Sequence, residues 1–132
     1  GLTSLETAEY LTARGNMVTI IGESSRIASG GGSSVVIGEI LRSLQQDNAV
    51  IMTGRKLLKI GTDRVVYQKV DTGEIFELPC DKAVMCKGVR SCGKIAAALQ
   101  GRHPNVRVIG DAAKVGRIQE DVLAGYQLAM EV

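Results

Sequence analysis

The fold is decided by the stretch Gly1-Leu2-Thr3-Ser4-Leu5-Glu6-Thr7-Ala8-Glu9-Tyr10-Leu11, with Gly15 and the run Val18-Thr19-Ile20-Ile21 after it. Its apolar residues recur at helical spacing, and Thr3 with Glu6 forms a capping-box pattern that predicts a helix start at Thr3. Gly15 predicts a left-handed helix stop. Residues 17–21 are mostly β-branched, which is typical of a parallel strand buried on both faces. The stretch therefore predicts half of a βαβ unit without its first strand and first glycine.

The rest of the sequence adds further elements of an α/β fold. Each is predicted from its apolar period and its glycine-marked ends. The predicted elements are a loop at Gly30–Gly32, a helix from Ser33 or Ser34 to Gln46, a strand at 49–52, a β-meander over 56–78 with turns at 61–63 and 71–73, a buried strand at 81–86, a helix around 95–99, a strand at 106–111 and an amphipathic helix at 117–130. We expect a Rossmann-like three-layer parallel sheet with an antiparallel β-meander, lacking the usual first strand.

Composition excludes several classes of function. The 16 basic and 14 acidic residues give a net charge of +2 without blocks of like charge, so we expect no nucleic-acid partner. No apolar run is long enough to span a bilayer, and no signal segment opens the chain, so we expect a cytoplasmic protein without a membrane partner. The three cysteines are six residues apart, without a metal-binding spacing, so we expect no metal.

Two predicted strands deliver a carboxylate at their carboxyl ends. Val18-x-Ile-Ile-Gly leads to Glu23, and Val106-x-Val-Ile-Gly leads to Asp111. In open parallel sheets, ligands bind outside the carboxyl ends of the strands. Two such strand ends suggest two nucleotide-like ligands, but two short matches alone are better explained by coincidence.

The order of these features resembles the C-terminal region of a flavoprotein group. This group contains NADH:flavin oxidoreductases, 2,4-dienoyl-CoA reductase, 2-enoate reductase and trimethylamine dehydrogenase, related to the pyridine nucleotide-disulfide oxidoreductases. The motifs that carry the resemblance are Gly1-Leu2-x-x-Leu5-Glu6-Thr7-Ala8-Glu9-Tyr10-Leu11 with Gly15 and 18–21, Asp81–Met85 with Gly88-x-Arg90, and Val108-Ile109-Gly110-Asp111 with Gly116-Arg117-Ile118 and Gly125-Tyr126.

The resemblance implies that the chain is a fragment of a flavin-dependent oxidoreductase. Residues 1–87 would bind NAD(P)H, and residues 88–132 would return to an FAD-binding domain, packed with the first part as one domain. Hydride would pass from nicotinamide to flavin. The partners would be the remainder of the parent protein, namely an FMN barrel and the N-terminal FAD half. The isolated chain is expected to be inactive.

The resemblance also implies roles for individual residues. Gly1, Leu2 and Thr3 would form the turn at the pyrophosphate, where a helix N-terminus favours an anion. Glu6 would lie near the nicotinamide. On the FAD side, Gly88, Gly110 and Asp111 would approach the cofactor, with Asp111 accepting from a ribityl hydroxyl. No nucleophile–base pair or carboxylate dyad is found in the sequence, so we expect no catalytic side chain and assign the chemistry to the cofactors.

The NAD or NADP preference stays open. Glu23 favours NAD through the ribose 2′-OH, whereas Ser24, Ser25 and Arg26 favour a 2′-phosphate.

Some residues depart from the group's pattern. Ser4 stands where a third glycine is usual, Lys87 precedes Gly88, and Ser91 replaces a proline. An alternative is therefore a stand-alone structural module that has lost its cofactors. A parallel sheet exposes unpaired edges when a strand is missing. We therefore expect residues 106–110 to pair with 17–21 and 82–86, or a second copy of the chain to fill the position in a homo-oligomer.

Overall fold

The computed structural model describes residues 1–28 and 33–131, so the predicted loop at Gly30–Gly32 lies outside the described residues. The contacts within the chain divide it into two compact units, Gly1–Cys86 and Lys87–Val132. The assignment of residues 1–87 to NAD(P)H and of residues 88–132 to FAD stays a prediction.

The first unit combines a helix-covered parallel strand pair with an antiparallel meander. Its elements are α1 (Leu2–Thr12), β1 (Thr19–Ile21), α2 (Ser34–Gln46), β2 (Val50–Met52), β3 (Arg55–Ile60), β4 (Arg64–Lys69) and β5 (Ile75–Pro79). The second unit contains α3 (Lys94–Gln100), a 3-10 turn (Gly110–Ala112) and α4 (Ile118–Glu131). The mixed α/β class and the meander are thereby confirmed.

Strands β1 and β2 pair in parallel, with Thr19 opposite Val50 and Ile21 opposite Met52. Helices α1 and α2 each precede one of these strands and pack against each other. Their buried side chains form the core cluster Leu5, Ala8, Ile40 and Leu44, and partly buried Val18 and Ile20 pack against it. The helical spacing of these residues explains the packing, because side chains at i and i+4 share one helix face.

The meander β3-β4-β5 follows directly from local sequence. Strand β4 lies in the centre and pairs antiparallel with both neighbours, with Tyr67 between Leu57 and Phe76. The Tyr67 and Phe76 rings stack with centroids 5.6 Å apart. The register between β3 and β4 shifts between Leu57 and Lys59, which leaves Leu58 as the extra residue of a β-bulge. The sequence did not indicate this bulge.

The predicted strands at 81–86 and 106–111 are wrong. Residues 82–90 and 106–109 have no regular secondary structure, and residues 81–86 are all exposed. Both segments carry a strand-like apolar pattern, but a strand exists only when a neighbour supplies its ladder hydrogen bonds. Among the described residues, β1 pairs with β2 alone, so the parallel sheet has two strands and the expected three-layer sheet is not formed. The predicted pairing of 106–110 with 17–21 and 82–86 is likewise wrong for the described chain.

Two predictions about burial are also wrong. Residues 17–21 are not buried on both faces, since Met17 and Thr19 are exposed. The physical reason is that β1 has a strand on one side only. In α4 the helix is confirmed, but its apolar stripe Ile118, Val122, Tyr126 and Met130 is 64–84% exposed.

Candidate functional site

The amino end of α1 presents free backbone amides. The helix begins at Leu2 after Gly1 as its N-cap, whereas the capping-box pattern predicted the N-cap two residues later, at Thr3. The predicted Thr3–Glu6 box is wrong because Thr3 lies inside the helix, and the Ser4 hydroxyl instead donates to the Gly1 carbonyl at 2.6 Å. The first four amides of a helix have no intrahelical acceptor. Those of Leu2 and Thr3 are therefore available to an anion, and their role at a pyrophosphate stays a prediction.

The loop after β1 lies at the same edge of the strand pair as the start of α1. The short connection between α1 and β1 reverses the chain, so the amino end of the helix and the carboxyl end of the strand meet at one edge. Leu2, Ile27 and Ala28 all pack against the same core cluster. This edge is where parallel α/β sheets bind ligands.

Backbone hydrogen bonds tie the loop 22–26 to the segment that follows β2. The Gly22 amide donates to the Met52 carbonyl and the Arg55 amide to the Gly22 carbonyl, both at 2.9 Å. The Gly54 amide donates to the Ser24 carbonyl at 3.0 Å. The side chains of residues 23–26 are exposed. The loop therefore has a fixed backbone and presents the polar groups of Glu23, Ser24, Ser25 and Arg26 outward.

Arg55 is a candidate site residue that the sequence analysis missed. Its guanidinium Nη1 donates to the carbonyls of Thr53 and Gly54, each at 3.2 Å, and the side chain is half-buried. The signal in the sequence was a basic residue directly after a glycine, three positions beyond the end of the predicted strand 49–52. Such a position lies at the carboxyl edge of the sheet, where a charge faces the ligand side.

Glu6 lies in the second turn of α1 and is exposed. It does not cap the helix, so its carboxylate is free for another role. Ser4, which stands where a third glycine is usual, has a structural role, because its hydroxyl donates a hydrogen bond to the Gly1 carbonyl. The first unit thus brings Gly1, Leu2 and Thr3 together with the loop 22–26 at one edge, while Glu6 stands one turn further along α1.

In the second unit, Gly110 and Asp111 open the 3-10 turn. Gly110 has φ +61°, a left-handed conformation that an L side chain rarely adopts. The Asp111 Oδ1 atom accepts the Gly116 amide at 3.0 Å, and this bond closes the loop between the turn and α4. The Arg117 amide donates to Glu120 Oε2 at 3.1 Å, as at a capped helix start. Asp111 is therefore partly occupied by its own loop.

A depression of about 370 Å³ lies beside this loop. It is lined by charged Lys114, Glu120 and Asp121, by Gly110 and Gly116, and by apolar Val108, Ile109, Ala113, Val115 and Ala124. The carboxylates of Glu120 and Asp121 accept hydrogen bonds from hydroxyls, and the Lys114 ammonium donates, so the residues present fit the sugar-alcohol part of a flavin cofactor. Gly88, the third residue predicted on the FAD side, has φ +79°. It is exposed in an irregular segment, and Lys87 and Ser91 in the same segment are exposed too.

The displaced pKa values of the described residues lie in the meander. The Arg64 guanidinium, hydrogen-bonded to Asp63 Oδ1 at 2.9 Å, lowers the pKa of that carboxyl, and Arg64 also pairs with Glu77 at 2.8 Å. These two carboxylates raise the pKa of Arg64. Hydrogen bonds from Thr72 and then from Lys69 lower the pKa of Glu74. Such exposed pairs stabilise a surface and do not indicate acid–base chemistry.

Across residues 1–28 and 33–131, no group of three or more His, Cys, Asp or Glu side chains is placed to hold a metal ion. In the same part of the chain, no helix has both the length and the apolar character needed to cross a bilayer.

Known proteins of similar sequence are oxidoreductases. No protein-family model matches the chain. It is 29% identical to the NADH oxidase of Thermoanaerobacter brockii over 133 aligned positions, which cover 100% of this chain and 20% of the relative. It is 28% identical to the cinnamate reductase of Clostridium sporogenes, again over 100% of this chain and 20% of the relative. The bilirubin reductase of Mediterraneibacter gnavus is 29% identical over 98% of the chain. The chain thus spans about one fifth of the length of these relatives, at 20% in each case.

Solved structures of similar fold are also oxidoreductases by name. Histamine dehydrogenase from Rhizobium sp. 4-9 matches with a TM-score of 0.80 and 25% identity, over 96% of this chain and 21% of that one. A 2-naphthoyl-CoA reductase in complex with 2-naphthoyl-CoA matches with a TM-score of 0.81 and 25% identity, over 98% and 19%. The resemblance stated from the sequence is confirmed: the chain is related to one segment of the flavoprotein oxidoreductases that include NADH oxidase, cinnamate reductase and histamine dehydrogenase.

Proposed function

We propose that the chain is part of a larger NAD(P)H-dependent flavoprotein oxidoreductase, in which it binds the pyridine nucleotide and a portion of FAD. The parent would be of the NADH oxidase or enoate reductase type. The remainder of the parent, with its FMN barrel and N-terminal FAD half, would be the partner of this chain. When both cofactors are bound, they supply hydride transfer from nicotinamide to flavin. The residues of this chain bind and orient them.

One observation carries the proposal. The unpaired amides of Leu2 and Thr3 and the polar loop 22–26 lie at the carboxyl edge of one parallel strand pair. A helix N-terminus with a positive dipole end at that edge favours a pyrophosphate. The loop 22–26 then faces the ribose end of the nucleotide, with Glu23 for a 2′-OH or Ser24 and Arg26 for a 2′-phosphate. Glu6 is proposed near the nicotinamide.

In the second unit, we propose Gly88, Gly110 and Asp111 as the contribution to the FAD site. The left-handed Gly110 allows backbone to approach a ligand closely. Asp111 uses one oxygen for the Gly116 amide, and a carboxylate has further acceptor positions for a ribityl hydroxyl. The relatives' names support an electron-transfer role, since one of them is an NADH oxidase.

The amide contribution of α1 is tested by removing one N–H group. Thr3→Pro removes an amide that has no intrahelical acceptor, and proline is tolerated in the first turn of a helix. Thr3→Ala keeps the amide and serves as the matched control. We expect calorimetry to give micromolar binding of NADH or NADPH to the unaltered chain. Thr3→Pro should weaken it about tenfold, the effect of one hydrogen bond to a charged group, and Thr3→Ala less than about twofold.

Helix content measured by far-UV circular dichroism must stay the same in both variants. If Thr3→Pro and Thr3→Ala bind the nucleotide equally well, the amide has no part in binding. A second assay concerns turnover: the isolated chain with added flavin should oxidise NADH no faster than free flavin does. Clear acceleration would contradict the proposal that the missing cofactor domains are needed.

A second candidate function is a structural module that has lost its cofactors. The observation that favours it is the internal use of polar groups, since Ser4 bonds to the Gly1 carbonyl and Asp111 bonds to the Gly116 amide. Absence of binding heat at millimolar NADH and NADPH would support this module. Micromolar binding of either nucleotide would exclude it.

A further inference from the structure

We propose that Arg55 is a positioning residue that fixes the loop 22–26 and thereby favours NADPH over NADH. The inference rests on the proposed function, because that loop is the proposed ribose end of the nucleotide site. Arg55 is the first residue of β3 and lies where the chain leaves β2. It is therefore at the carboxyl edge of the parallel pair, beside the loop.

The side chain of Arg55 clamps the peptide that holds the loop. Its Nη1 donates to the carbonyls of Thr53 and Gly54 at 3.2 Å each. The Gly54 amide in turn donates to the Ser24 carbonyl at 3.0 Å, and its carbonyl also accepts the Val70 amide at 3.0 Å. Gly54 has φ +62°, so this peptide has an unusual orientation that its hydrogen bonds must maintain.

The loop itself has few other restraints. Glu23, Ser24, Ser25 and Arg26 are exposed, and within the loop the Arg26 amide donates to Ser24 Oγ at a long 3.3 Å. Three close backbone bonds join the loop to residues 52–55. One is donated by the Gly22 amide to the Met52 carbonyl at 2.9 Å. The other two come from the segment that the Arg55 side chain clamps, namely from the Gly54 amide and from the Arg55 amide, which donates to the Gly22 carbonyl at 2.9 Å. Its geometry therefore depends on the Gly54–Arg55 segment.

Charge gives the direction of the preference. In the described part of the chain, no carboxylate lies within ion-pair distance of the Arg55 guanidinium. Guanidinium has five donors, of which only those on Nη1 point to carbonyls here. With Arg26 it places two cations against the carboxylate of Glu23. Lys69, which lies opposite Arg55 on β4, is paired with Glu74 at 3.2 Å and so leaves this excess unchanged. A 2′-phosphate, which NADPH has and NADH lacks, gains from that excess positive charge.

The test compares variants at adjacent basic residues. Arg55→Gln removes the charge and the planar fork, Arg55→Lys keeps a charge and donors, and Lys56→Gln removes an equal charge from an exposed neighbour. Calorimetry gives the Kd of NADPH and of NADH, and hydrogen exchange without nucleotide reports on residues 22–28. Arg55→Gln should raise the ratio of Kd(NADPH) to Kd(NADH) about fivefold, the effect of one hydrogen bond, and accelerate exchange in the loop.

Arg55→Lys should restore most of the ratio, and Lys56→Gln should change it less than about twofold because an exposed charge is screened. If Arg55→Gln does not fold, Arg55→Met, which keeps the aliphatic stem, carries the same test. Unchanged exchange in the loop would overturn the positioning role. Faster exchange with an unchanged ratio would overturn the specificity. If the unaltered chain binds neither nucleotide, the proposed function fails and the specificity with it, while the exchange data still decide whether Arg55 fixes the loop.

Discussion

The contact between α1 and α2 is the part of the first unit whose loss should be most costly. Leu44 of α2 is fully buried, at 0% exposure, and shares its cluster with Leu5, Ala8 and Ile40. We consider Leu44→Ala, which removes a buried isobutyl group from this small core. The substitution loses the transfer free energy of the removed carbons and leaves a cavity between two helices.

The magnitude follows from how far the site can close. Buried Leu→Ala changes cost about 2–5 kcal/mol, and the lower half of the range applies where neighbours can collapse into the space. Partly buried Leu2, Ile37 and Leu41 surround the cluster and allow some closure. We therefore expect a loss of about 3 kcal/mol, and with a urea m-value of about 1.5 kcal/mol/M the unfolding midpoint should fall by about 2 M.

The assay is urea unfolding, which gives the free energy of unfolding of the first unit. Hydrogen exchange of peptides from α1 and α2 is a second measurement. Val35→Ala is the matched control, because Val35 lies on the same helix but is 72% exposed. It should change the free energy of unfolding by less than about 0.5 kcal/mol. If Leu44→Ala costs no more than Val35→Ala, the cluster does not hold the helices together. The presentation of the Leu2 and Thr3 amides at the sheet edge would then need another explanation.

Two further predictions concern carboxylates. Asp111→Ala should free the amide at the far end of its loop, lower the stability of the second unit by about 1 kcal/mol and speed hydrogen exchange at residues 111–116, whereas Asp111→Asn, which keeps an acceptor, should do much less. An NMR titration should show that Glu74 has a pKa below the ordinary 4.5, and Thr72→Val should raise it. Because the folded pKa is lowered, the contribution of Glu74 to stability is present above pH 4.5 and is lost as the pH falls through the folded value. A Glu74 pKa that Thr72→Val leaves unchanged would show that the Thr72 hydrogen bond does not cause the shift.

Elements that depend on neighbouring residues could be predicted from the sequence. The meander is an example, because the turns Gly61–Asp63 and Asp71–Gly73 bring adjacent strands together and the alternation sets the faces. Helix α2 is another example. Its apolar residues keep the helical period through Ile40 and Leu44, over a longer stretch than the strand-like run 35–38. The bulge at Leu58 was missed because the consecutive Leu57 and Leu58 do not show which of them leaves the ladder.

Elements that depend on distant partners could not be predicted. Val106–Ile109 has the composition of a buried strand, but the hydrogen bonds of a parallel strand come from a neighbour far away in sequence, which composition cannot supply. The stripe on α4 shows the same limit, since amphipathic spacing predicts an apolar face without saying what covers it. For the candidate site, the helix start could be placed within two residues, whereas Arg55 could not be assigned a role without its carbonyl contacts.

The two strand-end motifs of the sequence lie in physically different surroundings in the structure. Glu23 follows a parallel strand, in a loop held by backbone bonds whose side chains point outward. Asp111 follows a segment that is not paired in a sheet, and its Oδ1 atom accepts a hydrogen bond within its own loop. A ligand at the first site would contact a backbone that hydrogen bonds already hold in place. A ligand at the second site must use the remaining acceptor positions of the Asp111 carboxylate, which already accepts the Gly116 amide. The similarity of the two motifs therefore does not imply equal competence. Nucleotide binding and flavin binding should be separable by substitution, with Thr3→Pro affecting the first and Asp111→Ala the second.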